Sequence, residues 1–253
     1  MRKTTALMAA TTVAAGIALP TVASAATPDP AAATVTQAAT TTALATGTVP
    51  TTIPDFDYSD CPQLPAGVDP AKWRCEVLVA EGTVTISGTP VPFRFDAVTH
   101  AEGLMPDGTD GQVFGAFRAS KLPVPGRQSG DGHGAKLWMQ PRLTSVPDFF
   151  SNGGMNLAFE LSGPGLGGRC AIGTDATPVQ VVAARVEGTT QRLSEDPPII
   201  GFGLRDEVLT MPETDGCGRA AEKLNRRFGL PSPSGANQLD GTAFYSFKTY
   251  DQL

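Results

Sequence analysis

The chain has 253 residues and a formal net charge of −6, with 41% hydrophobic and only 17% charged residues. An acidic chain without a dense Lys/Arg cluster argues against nucleic acid and anionic lipid as partners, since both bind through grouped cations. Its 28 glycines and 22 prolines suit many short strands joined by tight turns and are poor material for long helices.

Arg2 and Lys3 precede an apolar run over 6–19, Pro20 breaks it, and Ala23-Ser24-Ala25 supplies small residues for cleavage. This is the pattern of a secretory signal peptide over 1–25. The run falls short of the ~20 apolar residues that a spanning helix needs, and no later segment approaches that length. The mature chain is therefore expected to begin near Ala26, secreted or associated with the cell envelope, and more acidic for the loss of Arg2 and Lys3. Over 26–54 the composition is almost entirely Ala, Thr, Pro and Val. Such a segment buries too little surface to offset its ordering entropy, so it reads as a disordered tether, of a composition that also suits O-glycosylation. The folded part is expected over 55–253 as one β-rich domain. Two small β subdomains divided near 141–152 are the alternative.

Asp69 followed by Pro70 reads as the cap and first position of one helical turn ending near Arg74. Strand signals then follow in series. Val77 and Val79 begin one, Val84 and Ile86 alternate with threonines, and Val91, Phe93 and Phe95 alternate with Arg94 and Asp96. Further strands are expected at 113–117 and at 135–143, where Pro141 argues for an edge position. Met155, Leu157, Phe159 and Leu161 give the cleanest period of two. Later strands are expected over 179–186, 199–204, 208–211 and 242–248. One helix is expected over 219–228, with Ala220, Leu224 and Phe228 on one face and Gly229 and Pro231 as the stop. Alternation with one polar face implies antiparallel sheet. The expected fold is mostly β: an antiparallel β-sandwich or open barrel with one short C-terminal helix, stabilised by disulfides.

Four cysteines, Cys61, Cys75, Cys170 and Cys217, form an even set in a chain bound for export, which points to two disulfides. Three pairings are open. Cys61–Cys75 with Cys170–Cys217 is favoured, closing a short loop and a longer one, each worth roughly 3–4 kcal/mol in the chain-entropy model. A four-cysteine zinc site would want closely spaced pairs, and the nearest two here stand fourteen residues apart.

Candidate chemistry is sparse. The letters G-x-G-x-x-G occur over 163–168, but no helical pattern follows to receive a pyrophosphate, so this reads as a glycine-rich connection. His133 with Asp131, on the glycine-rich loop 128–134, could act as a general base and its orienting carboxylate; the plainer reading is an exposed hairpin tip. His100 reads as a strand-end residue after Val98. Asp107 and Asp110, with Glu102 nearby, offer oxygens to calcium on a tight turn, without the spacing of an EF-hand; the plainer reading is again a turn. No G-x-S-x-G elbow is present. Arg226, Arg227 and Lys223 read as a solvated helix face.

Cys170-Ala171-Ile172-Gly173, Pro198-Ile199-Ile200-Gly201, Gly216-Cys217-Gly218 and the run 229–237, together with Cys61-Pro62, Leu64-Pro65 and Trp73-Arg74-Cys75, resemble exported proteins of actinomycetes that carry no assigned activity. The resemblance covers roughly 60–80 and 165–245. It implies export and a Cys170–Cys217 bridge, and no reaction. The expected function is a non-catalytic binding or structural module of the envelope or extracellular space. It would need no cofactor, and a glycan, lipid or protein of the envelope would be its partner. A secreted hydrolase using His133 and Asp131 is the alternative.

Overall fold

The computed structural model describes residues 52–126, 137–147, 149 and 153–253. The leader, nearly all of the tether, and the His133/Asp131 loop lie outside the described residues.

A 3₁₀ turn, Pro70–Lys72, opens the regular structure, with the Asp69 carboxylate accepting from Ala71 N as the sequence leads one to expect. In chain order there follow β1 (Trp73–Ile86), β2 (Thr89–Leu104), β3 (Asp110–Ala119), β4 (Leu122–Pro123), β5 (Trp138–Leu143), β6 (Met155–Ser162) and β7 (Ala171–Ile172). Then come β8 (Val179–Val181), β9 (Ala184–Arg185), β10 (Gln191–Glu195), β11 (Pro198–Asp206), β12 (Thr214–Asp215), α1 (Ala221–Phe228) and β13 (Asn237–Thr249). The larger sheet runs β10-β11-β13-β1-β2-β3, with β9 also on β11; the smaller runs β12-β7-β6-β5-β4, with β8 also on β6. Every pairing is antiparallel.

The two sheets share one core. Val84, Ile86, Phe93 and Phe95 from the larger pack in the same cluster as Met139, Leu157, Phe159 and Ile172 from the smaller. At one edge the chain steps from β3 into β4, and Gln140 Nε2 donates to Ala119 O at 2.7 Å, joining the sheets there. Beyond Met139, β5 has no strand partner on its β4 side among the described residues, which leaves Pro141 where a residue without an N–H is tolerated. The helix buries Leu224 and Phe228, and Gly229 ends it in the left-handed conformation (φ 63°) that suits glycine best. Gly229 lies against Ser87, so α1 covers the end of the sandwich where β1 turns into β2. Both favoured disulfides are present, Cys61–Cys75 and Cys170–Cys217, and the second ties the approach to α1 to the start of β7.

Three strand expectations need correction. The signals at 77–79 and 84–86 belong to one strand, because Glu81-Gly82 crosses β13 instead of turning. A Cβ at Gly82 would stand 2.1 Å from Asp240 O, so the backbones approach as only glycine permits. The segment 208–211 is not a strand and makes a single bridge, Met211 to Ser232, while 179–186 is split into β8 and β9. One residue accounts for both departures. Buried Asp206 accepts from Val182 N at 2.7 Å and from Val208 N at 2.9 Å, drawing both segments off the ladder. Third, β2 runs on to Leu104, so His100 is a strand-interior residue and not a strand end.

Candidate functional site

The first residues of β1 are held by Trp73, which is fully buried and donates from Nε1 to Leu104 O at 2.8 Å. Gly103 makes room for it: a Cβ there would come within 2.6 Å of the indole. With Trp73 fixed on one face, strand alternation sends Arg74, Glu76 and Leu78 to the other, the face that continues into the core as Ala80, Val84 and Ile86. Directly across on β2 stand Glu102 opposite Arg74 and His100 opposite Glu76. Phe247 of β13 and Phe114 of β3 flank Glu76 and His100 in register.

These four polar side chains form one network. His100 Nε2 lies 3.2 Å from Glu76 Oε2 and 3.8 Å from Glu102 Oε2. The Arg74 guanidinium donates to both carboxylates and lies 5.2 Å from the centre of the Phe247 ring. Phe149 stacks on the imidazole with centroids 4.4 Å apart. The Glu76 and His100 side chains are 6% and 11% exposed, Glu102 19% and Arg74 44%, so burial falls off from the interior towards solvent.

Burial would push the His100 pKa down, but the Glu102 and Glu76 carboxylates facing its Nε2 outweigh that and hold it above its ordinary value. The facing His100 imidazole, with help from Arg74, holds the Glu102 carboxyl down to about 2. Arg74 is raised, since the charges of Glu76 and Glu102 overcome its partial burial. Burial, reinforced by the neighbouring Glu76 carboxylate, pushes the Tyr245 phenol far above its usual range. His100 Nδ1 is buried and has no hydrogen-bond partner among the described residues.

A second feature is a polar groove of about 870 Å³ on the smaller sheet. Arg142 and Glu160 line one side, paired at 2.9 Å, with Asp175 3.1 Å from the same guanidinium. Lys121, Arg169, Glu213 and Asp215 complete its charged lining, and the glycine-rich connection supplies backbone along its rim. Cys170, in the groove wall, is bridged to Cys217.

The chain matches no protein-family model, no curated protein and no solved structure. The site therefore stands on its own geometry.

His133 and Asp131 lie outside the described residues. Asp107 caps its own turn, its Oδ1 accepting from Thr109 N at 3.0 Å and Thr109 Oγ1 at 2.6 Å, and Asp110 begins β3 opposite Leu104. Glu102, grouped with them in the sequence, belongs instead to the His100 network. The stretch 163–168 is a turn between β6 and β7, and two-residue β7, not a helix, follows it. Sequence reasoning missed Arg74 and Glu76, and it missed the role of His100. The available signal was a pair of charged residues spaced i, i+2 on each of two neighbouring strands, Arg74/Glu76 and His100/Glu102.

Proposed function

We propose that this chain is an exported, non-catalytic binding module of the cell envelope or extracellular space, and that it takes a hydroxyl-rich ligand of the glycan class in the groove on the smaller sheet. The groove carries the reading. Arg142 is paired with Glu160 and Asp175, and Lys121, Arg169, Glu213 and Asp215 add groups of both signs, so the groove sets many donors and acceptors side by side. That arrangement suits many neutral hydroxyls better than a single charged group. The bridge between Cys170 and Cys217 pre-organises the wall, which lowers the ordering cost of binding. Two disulfides agree with an oxidising compartment, and the 1–25 leader, cleaved near Ala25, supplies the route. The resemblance to exported actinomycete proteins without assigned activity fits the same picture.

The test is calorimetric titration with soluble fragments of envelope polysaccharide, using the purified mature chain. Saturable binding is expected, weakened at least tenfold in Arg142→Ala and in Asp215→Ala. No binding to any fragment, or binding indifferent to both substitutions, overturns the reading. Intact-mass measurement of the protein recovered from culture medium tests the export half, with a start near Ala26 expected.

A further inference from the structure

We propose that Glu76, His100 and Glu102 form a binding site for one divalent transition-metal ion of the zinc class, with Arg74 as the cation that occupies the carboxylates when the metal is absent. The site lies on the larger sheet, apart from the groove assigned to the ligand, and does not depend on that assignment.

The donor set is the first argument. One imidazole and two carboxylates are the ligand types that zinc takes alongside an open position. Spacing is the second. Two ligands of a tetrahedral ion with bonds of about 2.0–2.1 Å stand roughly 3.3 Å apart. His100 Nε2 is 3.2 Å from Glu76 Oε2 and 3.8 Å from Glu102 Oε2, and one donor atom from each residue falls within 4.8 Å of the others. Among the described residues this is the one group of three such side chains that converges.

The third argument is the imidazole itself. The His100 side chain is 11% exposed, and its Nδ1 has no hydrogen-bond partner among the described residues. Among the described residues its polar neighbours are therefore met through Nε2, which faces the two carboxylates. The ring is held by Phe149 on its face and by strand pairing with Glu76, so the donor needs little reorganisation to accept a metal.

Charge and access are consistent. Two carboxylates balance a divalent ion. Arg74 is half exposed and its guanidinium already lies near the Phe247 ring, which gives it a resting place once displaced. A cavity of about 250 Å³, lined by Arg74, Glu102, Trp73 and Thr249 among others, opens beside Glu102 and leaves room for a water to complete the shell.

The experiment is titration of the mature, disulfide-intact chain with Zn²⁺ alone, followed by calorimetry, and with Co²⁺ followed by visible absorption. One ion per chain is expected, with tetrahedral cobalt bands. Glu102→Gln should weaken binding at least tenfold and His100→Asn should abolish it, whereas Arg74→Met should tighten binding by removing the competitor. Because His100→Asn could unfold the sheet, a measurement on the unsubstituted chain accompanies it. Of the two histidines, zinc should shift the imidazole NMR signals of His100 and leave those of His133 in place. Absence of one-to-one binding overturns the proposal. So does a zinc shift confined to His133, or binding unchanged in both Glu102→Gln and Arg74→Met. Loss of glycan binding leaves it standing, and loss of metal binding leaves the groove standing.

Discussion

Glu76 Oε2 lies 3.2 Å from His100 Nε2 across directly paired residues of β1 and β2, and both side chains are nearly sealed from water. A buried carboxylate survives only when its charge is matched and its oxygens are bonded. Here the imidazole serves one Glu76 oxygen and Arg74 serves the other. In the metal-free protein, Arg74→Met keeps most of the aliphatic stem while removing that charge. Urea unfolding should show a loss of about 1–3 kcal/mol, the cost of an under-bonded buried polar group. Glu76→Gln with Arg74→Met should recover part of it, since the double variant removes the stranded charge together with its partner. A double variant no better than the sum of the singles would mean that the pair is not coupled.

The tyrosines give a titration with a definite sign. All three in the chain, Tyr58, Tyr245 and Tyr250, are raised above the ordinary phenol value, each chiefly by burial. Tyr250 is pushed up to about 12 and donates to Pro62 O at 2.7 Å. A phenol whose folded pKa is raised contributes stability in full below its unfolded value near 10, and loses it as pH climbs through the folded value. Tyr250 should therefore ionise in the folded protein near 12, seen at the tyrosinate band, and the melting temperature should fall from about pH 10, where the unfolded phenol begins to ionise, up to that value. Tyr250 ionising near 10 with the fold intact would contradict the burial seen for that ring.

How much of this was legible in the sequence depends on range. The disulfides, the period-two strands and the helix with its glycine stop are local or pairwise signals, and they read correctly from Met155 to Ser162 and from Ala221 to Phe228. What failed was set by partners distant in sequence. The signals at 77–79 and 84–86 look separate until Gly82 is seen against Asp240, and 208–211 looks like a strand until Asp206 takes Val208 N. The polar cluster was hidden for the same reason. Arg74 and Glu76 stand more than twenty residues from His100 and Glu102, and only the β1–β2 register, pinned by Trp73 against Gly103, brings them together. That pin is testable. Gly103→Val drives a branched side chain into the indole, and tryptophan emission should shift to the red as Trp73 is expelled.

Asn237, buried at the start of β13, joins three connections at once. Its amide nitrogen donates to Leu209 O and Pro233 O, both at 3.0 Å, and its oxygen accepts from Ser87 N at 3.2 Å and Ser232 Oγ at 2.9 Å. Asn237→Ala strands several of these groups, and a loss of about 2–4 kcal/mol is expected if two buried groups go unpaired. Asn237→Asp should be worse at neutral pH, because it sets a carboxylate against two carbonyls that now receive a donor. Chemical denaturation at pH 7 ranks the two; an aspartate variant as stable as the parent would show that these bonds do not hold the connections.

The two disulfides should separate by the length of chain each closes. Cys170 and Cys217 are 47 residues apart and Cys61 and Cys75 are 14 apart. If each acts mainly by restricting the unfolded chain, removal costs about 4 kcal/mol for the longer loop and about 3 kcal/mol for the shorter. The sites differ locally as well. The shorter bridge sits over Val77 and Ala97 on the side of the larger sheet away from the core, with Phe56 and Tyr58 packed against it. The longer one belongs to the main core, with Leu224 and Phe228 of the helix. Replacing Cys170 and Cys217 by alanine should therefore lower global stability and release α1, seen as faster amide exchange over Ala221–Phe228. Replacing Cys61 and Cys75 should leave the helix protected and loosen the chain that precedes β1. Equal exchange across α1 in both double variants would show that the longer bridge does not anchor the helix.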